Sequence, residues 1–100
     1  MIVEYSKDFK KAVDKLSGKQ LSSVLSVIAE VKKAETVNDI TDCKRLIGYK
    51  HIYRIRIGGL RAFFTLHIEI VGDTVRFEYL ISRGQAYAKK TDTELKKLDR

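Results

Sequence analysis

The sequence predicts an α+β fold in which an N-terminal strand and a helical hairpin pack on an antiparallel sheet, with a short helix at the C-terminus. Three observations predict it. Apolar residues recur at helical spacing through most of the first 35 residues, and they alternate with polar ones at a period of two after residue 43. A Gly-Gly and a Gly-Asp pair of the kind that turn hairpins then punctuate that second half. A chain of 100 residues carries one modest core, so residues 1–100 are read as a single domain.

Ile2 to Tyr5 reads as the first strand, ended by Ser6, a helix N-cap. Phe9, Ala12, Val13 and Leu16 then fall on one face of a short helix, which "SGK" at 17–19 closes. A longer helix follows from about Lys19 to Glu35, with Leu21, Val24, Leu25, Ile28 and Val31 as its apolar stripe. Residues 36–42 carry the turn formers Asn38 and Asp39 and are expected to be a loop.

In "HIYRIRI", Tyr53, Ile55 and Ile57 share one face and Arg54 and Arg56 the other. Gly58 and Gly59 supply the positive dihedrals of a tight turn. "LRAFFTLHIEI" then sets Leu60, Ala62, Phe64, Leu66, Ile68 and Ile70 against Arg61, Phe63, Thr65, His67 and Glu69. After a turn at Gly72 and Asp73, Val75, Phe77, Tyr79 and Ile81 oppose Arg76, Glu78 and Leu80. Three strands joined by short turns make a meander, whose apolar face receives the helical hairpin. "TDTE" at 91–94 has the form of a capping box opening a last helix, docked through Leu95 and Leu98.

The net charge of +7 is concentrated rather than spread. From Cys43 to Ile68 there is no acidic residue, while Lys44, Arg45, Lys50, Arg54, Arg56 and Arg61 are all basic. Such a field attracts a polyanion, of which nucleic acid is the commonest in cytoplasm, or an acidic protein. Binding to a membrane surface fits less well, because the segment has the period of strands and not of a basic amphipathic helix. No apolar run approaches the roughly 20 residues of a membrane span, and "MIVEYSKDFKKAV" lacks the parts of a secretory signal, so a cytoplasmic protein is expected. Cys43 is the only cysteine, which excludes an internal disulfide and a cysteine-built zinc site and leaves it as a small packing residue.

Phosphate-binding glycine loops, His-Glu-x-x-His and nucleophile elbows are all missing, and His51 and His67 have no ligand spacing, so neither metal nor cofactor is expected. A strand arginine on the solvent side needs no special reason. Three converging ones do: a turn at Gly58 and Gly59 returns Arg61 alongside Arg54 and Arg56, and nothing in the segment can pair with them. A bound anion would explain the cost. Glu78 faces the same side, either as a base or, more simply, as an ion-pair partner.

"LIGYKHIYRIRIGGLRAFFTL" resembles the signature region of the RelE/ParE superfamily of bacterial toxin–antitoxin toxins: a Leu-x-Gly, a Tyr-Arg-Ile-Arg-Ile-Gly strand, a turn and an arginine-led second strand. The expected element order is that of the superfamily. The resemblance implies a toxin neutralised by an acidic antitoxin protein and, in the RelE-like branch, a metal-independent endoribonuclease that enters the ribosome and cleaves messenger RNA there. A ribose 2′-hydroxyl attacks the adjacent phosphate in that reaction. It implies phosphate clamps at Arg54, Arg56 and Arg61, with Lys50 as a further RNA contact. In the C-terminal stretch "ISRGQAYAKK" the resemblance offers Arg83 and Tyr87 as catalytic residues, with Arg61, and Lys89 and Lys90 as RNA contacts. Here the chain departs from the pattern, because Gln85 and Ala86 follow Gly84 where a histidine or arginine is usual. Tyr87 is then either a base, its pKa lowered by surrounding cations, or a packing residue for the last helix. The alternative is a ParE-like toxin that inhibits DNA gyrase without cutting RNA.

Overall fold

A computed structural model describes residues 1–99. Its elements are β1 (Ile2–Tyr5), α1 (Lys7–Asp14), α2 (Gly18–Lys33), β2 (Cys43–Arg45), β3 (Ile52–Ile57), β4 (Leu60–His67), β5 (Thr74–Ser82) and α3 (Lys89–Leu98), with a 3-10 turn at Val37–Asp39 in the loop after α2. The sheet runs β1-β5-β4-β3-β2. β1 lies parallel to β5 and every other pair is antiparallel. The α+β class is the expected one, but the sheet has a fifth strand. β2 is three residues long, too short to show a period, and extends the sheet beyond β3.

The first face of the sheet holds the larger core. Phe9 from α1 and Val24, Ile28 and Val31 from α2 pack on Ile55, Ile57, Ala62, Phe64, Val75 and Phe77. Phe9 stacks on Phe77 at 4.9 Å between ring centroids, Phe77 meets Phe64 edge-on at 5.9 Å, and Tyr53 stacks on Phe64 at 5.2 Å. Each buried aromatic ring contributes up to about 3 kcal/mol. Ser6 caps α1 as expected, its Oγ accepting from Phe9 N–H at 3.0 Å. Leu25 leaves the predicted stripe: it is exposed, and Val27 packs on the core instead.

Two expectations for the strands are corrected. β4 ends at His67, so Ile68 and Ile70 continue the alternation with no sheet beneath them and are exposed. In β5, Phe64 pairs with Phe77 and Phe63 with Tyr79, which leaves Glu78 as the extra residue of a β-bulge. The bulge inverts the alternation beyond it. Leu80 joins the first core, while Tyr79 and Ile81 face the other way. Glu78's carbonyl accepts the Ser6 hydroxyl, so the bulge is tied to the start of α1.

α3 begins two residues before the expected capping box, with Ala88 at its N-cap and no side-chain cap. Thr91 and Thr93 donate instead to the carbonyls of Gln85 and Lys89. Through Leu95 the helix docks on Ile52, Phe63 and Ala86, forming a smaller core on the second face. Of the two expected turn glycines after β3, Gly58 takes a positive φ of 57° and Gly59 does not. The link from β4 to β5 is a loop over residues 68–73, wider than a tight turn.

Candidate active site

The second face of the sheet positions the arginines. Arg56 pairs directly with Arg61 across β3 and β4, and Arg54 with Phe63, so Arg54 and Arg61 are diagonal neighbours on one face. Arg54 and Arg61 are each 8% exposed, whereas Arg56 reaches solvent. All three arginines therefore share the face, but only two of them are buried. Among the described residues no carboxylate forms an ion pair with any of the three. The Nε atoms of Arg54 and Arg61 are buried without a hydrogen-bond partner. Arg61 Nη1 donates to the carbonyls of Gly58 and Leu60, both at 2.8 Å, which holds its guanidinium near the hairpin turn. A cation taken out of water without a counter-charge is costly, and two side by side are more so.

Tyr87, 62% exposed, stands over this pair from the segment before α3. Its hydroxyl interacts chiefly with the Arg54 guanidinium, and partial burial opposes that effect. With the further charges of Arg54 and Arg61, the net result is a phenol pKa below its ordinary value.

Arg54 and Tyr87 line a cleft of about 610 Å³. One wall comes from β2 and the following loop, with Lys44, Arg45, Leu46, Ile47 and Tyr49; the other comes from the α3 side, with Ala86, Lys89, Asp92 and Leu95; Phe63 lies between. The walls are fastened together. The Tyr49 hydroxyl donates to the Asp92 carboxylate. Asp99 accepts the backbone N–H groups of Lys50 at 2.8 Å and His51 at 2.6 Å. Burial, then the bond to Asp92, pushes the Tyr49 phenol up to about 12, so it remains a donor. For Asp99 partial desolvation acts upward, but the two N–H groups outweigh it and hold the carboxyl below the usual range.

Of the residues singled out in the sequence, Arg54, Tyr87 and Lys89 line the cleft, and Arg61 lies beside Arg54 and Tyr87 without lining it. Lys50, Arg83 and Lys90 are exposed and do not line the cleft. Arg83 sits beyond β5 with its N–H on the Gly59 carbonyl at 2.8 Å. Lys44 and Arg45, counted in the sequence only as local charge, are wall residues. Tyr49 and Asp92 were missed, and nothing in a sequence links two polar residues 43 positions apart.

Glu78 is an ion-pair partner: its carboxylate takes Arg76 Nε at 3.3 Å and the Thr65 hydroxyl at 2.9 Å. Cys43 is half-buried, and burial pushes its thiol up to about 11, which leaves it unreactive at neutral pH. No group of three or more His, Cys, Asp or Glu side chains suited to a metal ion occurs among the described residues.

No protein-family model matches the chain. A curated relative, Toxin RelE3 of Methanocaldococcus jannaschii, is 32% identical over 88 residues, covering 87% of this chain and 96% of the relative. Among solved structures, the fold is similar to the RelB–RelE antitoxin–toxin complex of Methanococcus jannaschii, with a TM-score of 0.68 and 24% identity over 84% of this chain and 94% of that one. It is also similar to the archaeal RelE–RelB complex of Pyrococcus horikoshii OT3, with a TM-score of 0.66 and 21% identity over 85% and 97%. A mutant of E. coli toxin RelE in the free state matches at a TM-score of 0.66 and 17% identity, over 97% and 95%. With a RelE toxin matched at this identity along nearly its whole length, and RelE structures sharing the fold, the chain belongs to the RelE family of toxins from toxin–antitoxin systems.

Proposed function

We propose that this toxin is a metal-independent endoribonuclease that cleaves messenger RNA on the ribosome. The observation that carries the proposal is the buried, unpaired Arg54–Arg61 pair beneath the Tyr87 hydroxyl. A scissile phosphate supplies the charge that this pair lacks. The ribose 2′-oxygen bonds to phosphorus while the bond to the 5′-oxygen breaks, giving a cyclic phosphate and a 5′-hydroxyl. Tyr87 in its phenolate form accepts the 2′ proton. We assign the proton for the departing 5′-oxygen to Lys89 on the same cleft wall. Arg54 and Arg61 stabilise the phosphorane, whose charge exceeds that of the ground state, and a fixed cation favours the state with the larger charge. Lys50, Arg56, Arg83 and Lys90 hold the RNA backbone farther out, where contacts position and do not react.

Two of the neighbouring structures are complexes of a RelE with the antitoxin RelB, which supports an acidic antitoxin as partner for this chain as well. The net charge of +7 favours fast, salt-sensitive association with it.

Cleavage of a defined message on purified ribosomes tests the proposal. The expected result is cutting within the ribosome-bound codon by the parent protein and at least about 100-fold slower cutting by Tyr87→Phe. Intact messages together with trapped gyrase cleavage complexes would overturn it in favour of a ParE-like activity.

A further inference from the structure

Ile47 is 92% exposed, yet its backbone is held from both sides. It occupies the second position of a tight turn closed by Tyr49 N–H on the Leu46 carbonyl at 3.2 Å, and Gly48 takes the positive φ of 85° suited to the third position. Leu46 N–H donates to the Ile52 carbonyl at 2.9 Å on one flank. On the other flank, Asp92 receives the Tyr49 hydroxyl, and Asp99 receives the N–H groups of Lys50 and His51. A branched aliphatic side chain fixed in water gains nothing for the fold. Most of the other exposed large apolar residues lie elsewhere, Ile68, Ile70 and Val71 among them, whereas Ile47 and Tyr87 line the cleft that holds Arg54.

The cleft thus has two chemistries in one continuous surface, cations at Arg54, Lys44 and Lys89 and an apolar rim at Ile47. A nucleotide has the same two parts, an anionic phosphate and a base with apolar faces. We propose that Ile47 packs on the nucleobase adjacent to the scissile phosphate and is a specificity-determining residue of the toxin. This inference rests on the proposed endoribonuclease reading. Phosphate on Arg54 and Arg61 sets the register, and a base packed on Ile47 makes cleavage depend on which base follows.

The test uses the whole protein and a trinucleotide whose 2′-deoxy sugar at the scissile position prevents cleavage, compared with the same molecule made abasic at the neighbouring position. Nuclear magnetic resonance follows the Ile47 methyl groups and the Nε–H signals of Arg54 and Arg61. The expected result is that both trinucleotides shift the arginine signals and only the base-bearing one shifts Ile47. Ile47→Ala, a change at the surface, should weaken the base-bearing ligand about fivefold, the low end of base-packing contributions, and leave the abasic ligand unaffected. Arginine shifts without an Ile47 shift, or equal Ile47 shifts from both ligands, overturn the inference while leaving the endoribonuclease reading intact. If neither set of signals moves, the phosphate site is wrong and the inference falls with it. If Ile47→Ala weakens an acidic antitoxin but not the trinucleotide, the rim is a protein-docking surface and the inference is again overturned.

Discussion

Two sets of charged side chains share the second face of the sheet and are treated in opposite ways. In the first, Glu78 at the bulge is buried, but its carboxylate takes Arg76 and Thr65, Thr65 in turn meets His67 at 3.1 Å, and Arg76 reaches Glu4 at 3.7 Å. Its backbone carbonyl is taken by Ser6. In the second, Arg54 and Arg61 are similarly buried and have no acid paired with them among the described residues. Burying charge is tolerable when the partners are built in, so the first set reads as structure. The second leaves two cations with unmet donors, a strain that folding alone would remove by substitution. That imbalance marks the site.

The difference can be broken most severely at Tyr87. Tyr87→Phe keeps the ring and deletes the proton acceptor, so cleavage should fall by about 10²- to 10⁴-fold with ribosome binding retained. In the parent protein the rate should rise about tenfold per pH unit until Tyr87 is deprotonated, and level off below pH 10 because the arginines depress its pKa. The variant should lose that slope, which a pH–rate profile in single-turnover conditions reads directly. Arg61→Ala comes next, with a loss of roughly 100-fold, the scale for one preorganised donor in a transition state. Glu78→Ala acts on the other set and should do the reverse. Unfolding in urea should show a loss of about 1–3 kcal/mol, from the stranded Thr65 and Arg76 groups, while cleavage per folded molecule stays at the parental level. Smallest of all is Tyr49→Phe, which releases one tie between the cleft walls. It should cost about 1 kcal/mol or less in unfolding and raise KM more than it lowers kcat.

How much of this was legible in the sequence depends on what kind of signal each feature leaves. β1, α1 and the faces of Tyr53 to Ile57 follow from periodicity, because Tyr53, Ile55 and Ile57 pack on the first core while Arg54 and Arg56 face the other way. The β5 bulge leaves no mark, since Tyr79, Leu80 and Ile81 are all apolar and either face accepts any of them. Ile68 and Ile70 kept the strand pattern past the end of the sheet, a limit set by pairing and not by side chains. At the site, alternation put Arg54, Arg56 and Arg61 on one face, and resemblance singled out Tyr87. That Arg54 and Arg61 are buried while Arg56 is not depends on where α3 docks, and Leu95 and Leu98 alone do not specify which face receives it.

The central claim is that Arg54 and Arg61 are kept against the interest of stability because an anion completes them. Arg54→Met, which keeps length and removes charge, tests it when the unfolding midpoint in urea and the single-turnover cleavage rate are measured on one preparation. The account predicts a midpoint equal to or above the parent's, as expected when a buried unpaired cation becomes apolar, together with a loss of cleavage of about 100-fold or more. A midpoint lowered as far as that of Glu78→Ala, with cleavage per folded molecule unchanged, would contradict it and make Arg54 a structural residue.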